Sequence, residues 1–270
     1  MGGKRFAFIR LLAFFLTSVL LCSCAAPPSN NRIAIVGGPA YAIVSEIASK
    51  DEIVNATPLA GDPHFLEVTA SLSKALEQSV AIISLGASSD RKIVESFHKP
   101  LLFLLPANTK DPHLWLSPKR VIEWVPSIES FLDDYFPENK KEHSANAKRF
   151  LTQLYSFDAV FHTFSGSCFI TQHPAFAIVQ EDYSWNIAGT LEIGEVEISP
   201  RKLAALSRVV ATQRSCILLL NPNEESKTAE VLKQQLKLPS VYFDLMELAT
   251  GTYTSIMEQN ISKLMDVIKR

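Results

Sequence analysis

The sequence predicts an α/β protein of two lobes with mostly parallel sheets, joined by one long helix. Short runs rich in aliphatic and β-branched residues alternate with segments of helical periodicity. This alternation occurs twice, once on each side of a long helical stretch at residues 138–162. Strands that alternate with helices form parallel sheets covered by helices. We therefore expect an N-terminal lobe at 32–137, a linker helix at 138–162 and a C-terminal lobe at 163–270.

Residues 1–24 have the features of a bacterial secretory signal. Three basic residues are followed by an apolar run of about 11 residues, whereas a membrane-spanning helix needs roughly 20. The segment ends in Leu21-Cys22-Ser23-Cys24, which resembles the lipobox of lipoproteins. We expect cleavage before Cys24, a lipid on Cys24, and a polar tether at residues 25–31. An ordinary signal peptide cut elsewhere and an uncleaved anchor are the alternatives.

Charge and length limit the classes of function. Residues 1–24 hold three of the 26 basic residues and no acids, so the remaining chain has a formal charge of −5. A mildly acidic chain without basic runs argues against a nucleic-acid partner. The remaining chain is long enough to bury a large core, as one domain or as two lobes.

The N-terminal lobe contains four strand patterns and four helix patterns. The predicted strands are Arg32–Val36, Ile53–Leu59, Ala81–Leu85 and Leu101–Leu105. The predicted helices are Ala40–Ser49, Ser71–Ser79, Asp90–Phe97 and one that begins at Ser117-Pro118. Serine is a favoured N-cap and proline suits the first helical turn. Pro126 lies within the apolar stripe of the last helix, so we expect a kink or a break there.

The linker helix and the C-terminal lobe follow the same logic. Apolar residues recur at helical spacing from Glu138 to about Phe161, a length of roughly 35 Å. The strands predicted beyond it are Cys168–Thr171, Ile187–Leu191, Cys216–Leu220 and Val241–Phe243. The helices predicted there are Phe176–Tyr183, Pro200–Thr212, Glu225–Leu236 and Tyr253–Lys269.

The tripeptide Asp-Pro-His occurs twice, and its histidines, His64 and His113, are 49 residues apart. Both copies follow predicted strands, and so do His173 and Asp244. Ligands of open α/β sheets bind beyond the carboxyl ends of the strands, so we expect these four side chains to converge in a cleft between the lobes. Imidazoles with a carboxylate suit zinc foremost, and manganese or iron next. Glu247 or a water is the alternative to Asp244 as the fourth ligand.

The other histidines and the cysteines have simpler interpretations. His98, His143 and His162 lie on predicted helices or their ends, and we expect no metal role for them. Cys168 and Cys216 each lie five residues before a strand-end residue, so their sulfurs lie level if their strands are neighbours. In an oxidising compartment they could pair, although bridging adjacent parallel strands strains a disulfide. Two buried thiols are the alternative.

Four segments of the chain resemble the periplasmic zinc/manganese solute-binding receptors of bacterial ABC importers. These segments are PLAGDPHFLEVTASLSKALEQSVAIISLG, KDPHLWLSPKRVIEW, ITQHPAFAIVQEDYSW and VYFDLMELATGTYTSIMEQNISKL. The resemblance covers most of residues 32–268 and implies metal ligands at His64, His113, His173 and Asp244. It also implies two α/β lobes bridged by one long helix, a divalent metal ion as transported ligand, an ABC permease as partner, a monomer, and a periplasmic or cell-surface location.

The chain also departs from that family pattern. Pro174 stands where the family usually has aspartate, and no proline follows Asp244. Asn221-Pro222 stands where a glutamate-proline pair is common, and the histidine-rich loop of some zinc members is missing. These departures weaken the expectation of tight zinc selectivity more than that of metal binding.

Two other classes of function are alternatives to the receptor. A zinc hydrolase would use His64, His113 and His173 as ligands, but the chain has no His-Glu-x-x-His, no Gly-x-Ser-x-Gly and no phosphate loop. We therefore do not expect an enzyme. A surface lipoprotein with an adhesion or host-interaction role is the main alternative, and no motif in the sequence argues against it.

Overall fold

The computed structural model describes residues 31–57, 66–193, 196–197, 199–212, 216–223, 230, 233–234, 237–248 and 251–269. The signal segment, Cys24, almost the whole tether and His64 lie outside these residues. Most of the predicted helix Glu225–Leu236 and the end of the predicted strand Ile53–Leu59 do so too. Among the described residues, no helix is both long and apolar enough to cross a membrane.

The first sheet has four parallel strands in the order β2-β1-β3-β4. The strands are β1 (Ile33–Val36), β2 (Ile53–Asn55), β3 (Ala81–Ser84) and β4 (Leu101–Phe103). The helices between them are α1 (Gly38–Val44), α2 (Ala70–Gln78) and α3 (Ser88–Glu95). Every residue of β1 and β3 is buried, as expected for central parallel strands covered on both faces.

Two long helices follow the first sheet. A short 3₁₀ turn, His113–Leu116, leads into α4 (Pro118–Tyr135), and a second turn leads into α5 (Lys140–Thr163). The 24 residues of α5 give a length of about 36 Å, close to the prediction. The helix α4 continues through Pro126, so of the predicted kink or break, the break does not occur. Proline removes one backbone donor, but the apolar stripe of α4 packs in the same core as Phe150 and Leu154 of α5.

The second sheet also has four parallel strands, in the order β10-β9-β5-β6. The strands after α5 are β5 (Cys168–Thr171), β6 (Asn186–Thr190), β7 (Glu192–Ile193), β8 (Val196–Glu197), β9 (Ile217–Leu220) and β10 (Ser240–Tyr242). The helices are α6 (Ala177–Tyr183), α7 (Pro200–Thr212) and α8 (Tyr253–Ile268). The eight predicted strands are confirmed in position, whereas the short antiparallel pair β7–β8 was not predicted.

One hydrophobic core runs from the first sheet through α5 into the second sheet. It contains Ile35 of β1, Phe150 of α5 and Phe169 of β5. The Trp185 ring is stacked between Phe161 and Phe169, with ring centroids 5.1 and 4.6 Å away. Trp185 is therefore a packing residue of this core.

Cys168 and Cys216 form a disulfide in this structure. Their strands, β5 and β9, are neighbours, and Phe169 pairs with Ile217 in the ladder. The two cysteines precede these paired residues and therefore lie level, as their spacing predicted. Of the two alternatives, pairing is the one that the structure contains, and the expected strain does not prevent it.

Candidate metal centre

Three buried side chains converge where the loops after β4, β5 and β10 meet. One ligand atom each from His113, His173 and Glu247 lies within 4.8 Å of the others. Oε1 of Glu247 is 3.6 Å from Nε2 of His113 and 3.8 Å from Nε2 of His173. Tetrahedral zinc ligands lie about 3.4 Å from one another, so the three donors are close to the spacing that zinc requires.

His113 lies in the 3₁₀ turn that precedes α4, and Asp111 fixes its orientation. Oδ1 of Asp111 accepts the backbone N–H of His113 at 3.1 Å and lies 2.6 Å from Nδ1 of the same ring. A carboxylate on Nδ1 sets the tautomer and turns Nε2 toward Glu247. The aspartate of this Asp-Pro-His copy thus supports a ligand rather than serving as one.

The pKa of His113 is shifted strongly. Burial by itself lowers the pKa, but the hydrogen bonds with Asp111 and Glu247 outweigh it and raise the pKa to about 9. The imidazole therefore carries a proton at neutral pH in the metal-free protein. Imidazolium cannot coordinate a metal, so a bound cation must take the place of that proton.

His173 reaches the cluster from the carboxyl end of β5. Its ring lies edge-on to the ring of His113, with centroids 5.3 Å apart. The preceding residue, Gln172, extends the sheet, because its backbone N–H donates to the carbonyl of Leu219 at 2.8 Å. The backbone of β5 and β9 therefore determines where His173 lies.

The carboxylate of the cluster is that of Glu247, not that of Asp244. Oδ1 of Asp244 instead accepts the backbone N–H of Met246 at 2.7 Å, and Met246 has a left-handed φ of 65°. Asn260 of α8 holds the Asp244 backbone with two hydrogen bonds of 2.9 Å. Asp244 thus shapes the turn that delivers Glu247 to the two histidines.

Residues of the N-terminal half of the chain also contact the turn that carries Glu247. Nε1 of Trp115 donates to the carbonyl of Leu245 at 2.8 Å, and the Tyr253 hydroxyl donates to the carbonyl of Trp115 at 2.9 Å. A Cβ at Gly38 would overlap the carbonyl oxygens of Met246 and Glu247, so only glycine fits there. The cluster of His113, His173 and Glu247 therefore lies between the two lobes.

The structure brings together two of the four predicted ligands, His113 and His173. His64 lies outside the described residues, and Asp244, three residues before Glu247, is not part of the cluster. Glu247 was the alternative carboxylate in the sequence analysis. The signal that would have favoured it, a left-handed turn at Met246, is a backbone feature that the sequence does not show.

His143 has a structural role. Its ring is fully buried, with Nδ1 2.8 Å from Asp133 and Nε2 3.0 Å from Oε1 of Glu52. Within the described part of the chain, no group of three metal-ligating side chains other than His113, His173 and Glu247 is found.

Residues 37–267 match the family ZnuA, described as zinc-uptake complex component A periplasmic. The chain is 29% identical over 166 residues to zinc-binding protein AdcA of Streptococcus pyogenes serotype M3, covering 57% of this chain and 32% of AdcA. It is 26% identical over 174 residues to the high-affinity zinc uptake system protein ZnuA of Bacillus subtilis, covering 59% of this chain and 54% of that protein. The chain thus spans about a third to a half of the length of these relatives.

A solved structure shows the same fold. The metal-dependent lipoprotein YcdH from Bacillus subtilis superposes with a TM-score of 0.74 at 21% sequence identity. The match covers 88% of this chain and 99% of YcdH. The predicted architecture, two α/β lobes with a long connecting helix, is thereby confirmed.

Proposed function

The chain belongs to the ZnuA family of periplasmic zinc-uptake components, and from this premise we propose that it captures a divalent transition metal, zinc foremost, for an ABC permease. The family consists of solute-binding receptors rather than enzymes. The observation that carries the proposal is the buried convergence of His113, His173 and Glu247 between the lobes.

The donor set suits zinc. Two imidazoles and one carboxylate are ligands that zinc accepts in a tetrahedral site, whereas manganese prefers more oxygen donors. We assign His64, the histidine of the first Asp-Pro-His, as the fourth ligand, with Glu247 in place of Asp244. Four protein ligands make a closed site, which fits a cargo ion held without a reactive water. Manganese and iron are weaker candidate cargoes.

Capture and release follow from the position of the ligands. A cation held by His113 from one lobe and by His173 and Glu247 from the other bridges the two lobes. Metal binding is then linked to the arrangement that brings the lobes together, and release requires the permease to separate them. The helix α5 and the continuous core limit this separation to a modest tilt. A large hinge motion in solution scattering of the apo and metal-bound protein would contradict this mechanism.

We further propose that Cys24 carries the lipid that holds the receptor at the membrane. The lipobox-like Leu21–Cys24 supports this assignment, and so does the name of YcdH, which is a lipoprotein. The receptor is then periplasmic or at the cell surface. Mass spectrometry of the full chain expressed in a bacterium, beside a Cys24→Ala variant, tests the assignment. A wild-type chain without acyl mass would contradict it.

Metal analysis tests the central proposal. The protein purified without added metal, a His113→Ala variant and a His98→Ala control are compared by elemental analysis and by competition with a zinc chelator. His98 is an exposed histidine outside the cluster, so its variant should bind as the wild type does. We expect the wild-type protein to bind about one zinc per chain. The His113→Ala variant should bind zinc at least about 100-fold more weakly, because it lacks a ligand. A wild-type chain that takes up no transition metal would overturn the proposal.

A further inference from the structure

Asn221 forms a hydrogen bond with the carboxylate of Glu247. This buried residue follows β9, and its Nδ2 donates to Oε2 of Glu247 at 3.2 Å. Its Oδ1 accepts the backbone N–H of Asn223 at 3.1 Å. Because only the oxygen of the amide can accept that N–H, the nitrogen must face Glu247. The orientation of the Asn221 side chain is therefore determined by its surroundings.

A second contact holds the backbone of Asn221. Its N–H donates to Oε1 of Gln172 at 3.2 Å, and Gln172 immediately precedes His173. Asn221 thus forms hydrogen bonds with Glu247 and with Gln172, the residue before His173. Because hydrogen bonds fix both its backbone and its side chain, Asn221 can hold the Glu247 carboxylate in one orientation.

The two oxygens of Glu247 consequently have different surroundings. Oε1 faces Nε2 of His113 and of His173 at 3.6 and 3.8 Å, whereas Oε2 accepts the amide of Asn221. We propose that Asn221 holds Glu247 as a one-oxygen ligand and thereby favours four-coordinate zinc over manganese. This inference rests on the proposed function and deepens it, because it assigns a selectivity role to a residue outside the ligand set.

The physical reason lies in coordination number. Zinc is satisfied by four donors, and one carboxylate oxygen supplies one of them. Manganese prefers an octahedral, oxygen-rich shell, which a carboxylate supplies best through both of its oxygens. Two-oxygen binding would turn Oε2 of Glu247 toward the metal and thereby weaken the hydrogen bond that Asn221 donates to it, and this cost falls on manganese alone.

The test compares Asn221→Leu with Asn223→Ala. Leucine has the same number and branching of side-chain heavy atoms as asparagine but no donor. Asn223 is an exposed asparagine two residues away whose backbone N–H survives the substitution to alanine. Zinc and manganese dissociation constants are measured by chelator competition, and the coordination number is read from the absorption spectrum of the cobalt-substituted protein. We expect the preference for zinc over manganese to fall about tenfold in Asn221→Leu, the size of one lost hydrogen bond to a charged group. The cobalt bands should weaken toward those of a higher coordination number, and Asn223→Ala should match the wild type in both measurements.

The outcomes separate this inference from the function on which it rests. A wild-type protein that binds neither metal refutes the proposed function. A wild-type protein that binds zinc, with the same zinc-to-manganese ratio and cobalt spectrum in Asn221→Leu, refutes only the role of Asn221. Equal changes in Asn223→Ala would also refute it, because they would show a general effect on the loop. If Asn221→Leu does not fold, Asn221→Ala replaces it, since alanine also lacks the donor and adds no charge beside Glu247.

Discussion

Arg120 and Asp182 form a two-point ion pair that joins the start of α4 to the end of α6. Nε and Nη2 of Arg120 each lie 2.8 Å from an oxygen of Asp182. The Ser117 hydroxyl and the Lys119 ammonium donate to the same carboxylate at 2.8 and 3.0 Å. Only 2% of the Asp182 side chain is exposed. Because α4 follows His113 and α6 follows His173, this pair holds together the two segments that carry the histidines.

We predict that Asp182→Asn lowers both stability and metal affinity. The substitution keeps the size of the side chain but leaves a cationic cluster without its counter-charge, at a cost of about 2–3 kcal/mol. Burial alone raises the pKa of Asp182, but the bonds from Arg120, Ser117 and Lys119 outweigh it and lower the pKa. The stabilisation is therefore complete at neutral pH and is lost only as the pH falls through that lowered pKa.

Urea unfolding and zinc competition of the Asp182 variant test this prediction. Glu181→Gln is the matched control, because Glu181 also contacts Arg120, at 3.1 Å, but its side chain is 71% exposed. An exposed pair contributes less than about 1 kcal/mol. Equal stability losses in the two variants would show that the buried pair has no special role.

A pair of amide substitutions separates the two candidate carboxylates. Glu247→Gln should lower zinc affinity strongly, because it removes the anionic donor of the cluster. Asp244→Asn should keep most of it, because the asparagine oxygen can still accept the N–H of Met246 and maintain the turn. Isothermal titration of zinc into both variants gives the answer. The reverse order of affinities would restore Asp244 as the ligand.

Zinc binding should release a proton from His113 at neutral pH. The hydrogen bonds that the ring donates to Asp111 and Glu247 overcome the effect of burial and place the pKa at about 9, so the metal-free ring is charged below that pH. This group alone should make the apparent affinity rise about tenfold per pH unit up to about pH 9. Titrations in buffers of different ionisation enthalpy count the released protons. Asp111→Asn should lower that count, and an unchanged count would contradict the role of Asp111.

In the absence of metal, the stability of the fold should fall as the pH rises, because His113 then loses its proton. Because the folded pKa of His113 is raised, its contribution to stability is complete below about pH 6.5 and is lost as the pH rises through about 9. Without metal, the wild type should therefore lose stability over this interval more than His113→Ala does. Thermal unfolding in the presence of a chelator measures the difference. Parallel curves for the two proteins would show that His113 has no raised pKa.

His143→Gln should destabilise the fold without changing metal content. Burial alone lowers the pKa of His143, but the hydrogen bonds with Asp133 and Glu52 outweigh it and raise the pKa. Its stabilisation is thus complete below the ordinary value of 6.5 and is lost above the raised pKa. Removing one partner of a buried pair costs about 3 kcal/mol. Urea unfolding at acidic and alkaline pH, with His98→Gln as the control, should show the loss of stability chiefly at acidic pH. A zinc content below that of the wild type would contradict a purely structural role.

Local patterns allowed much of the fold to be predicted. Parallel strands buried on both faces consist of continuous apolar runs, so β1, β3, β5 and β9 are visible in the sequence. The periodicity of α5 predicted 138–162, close to the observed Lys140–Thr163. The two-residue strands β7 and β8 were missed, because segments this short carry no usable periodicity. The continuity of α4 through Pro126 depends on packing against α5, which a local pattern does not contain.

The two α/β lobes, the long helix between them, and the strand-end positions of His113 and His173 could all be predicted from the sequence. Those features follow from periodicity and from the order of residues along the chain. The long-range contacts required the folded structure: Glu247 joins the histidines while Asp244 forms the turn, Cys168 pairs with Cys216, Asn221 donates to Glu247, and Asp182 pairs with Arg120. Each of these contacts joins segments far apart in the chain or depends on one left-handed backbone angle. Contacts and angles of this kind produce no periodic pattern in the sequence.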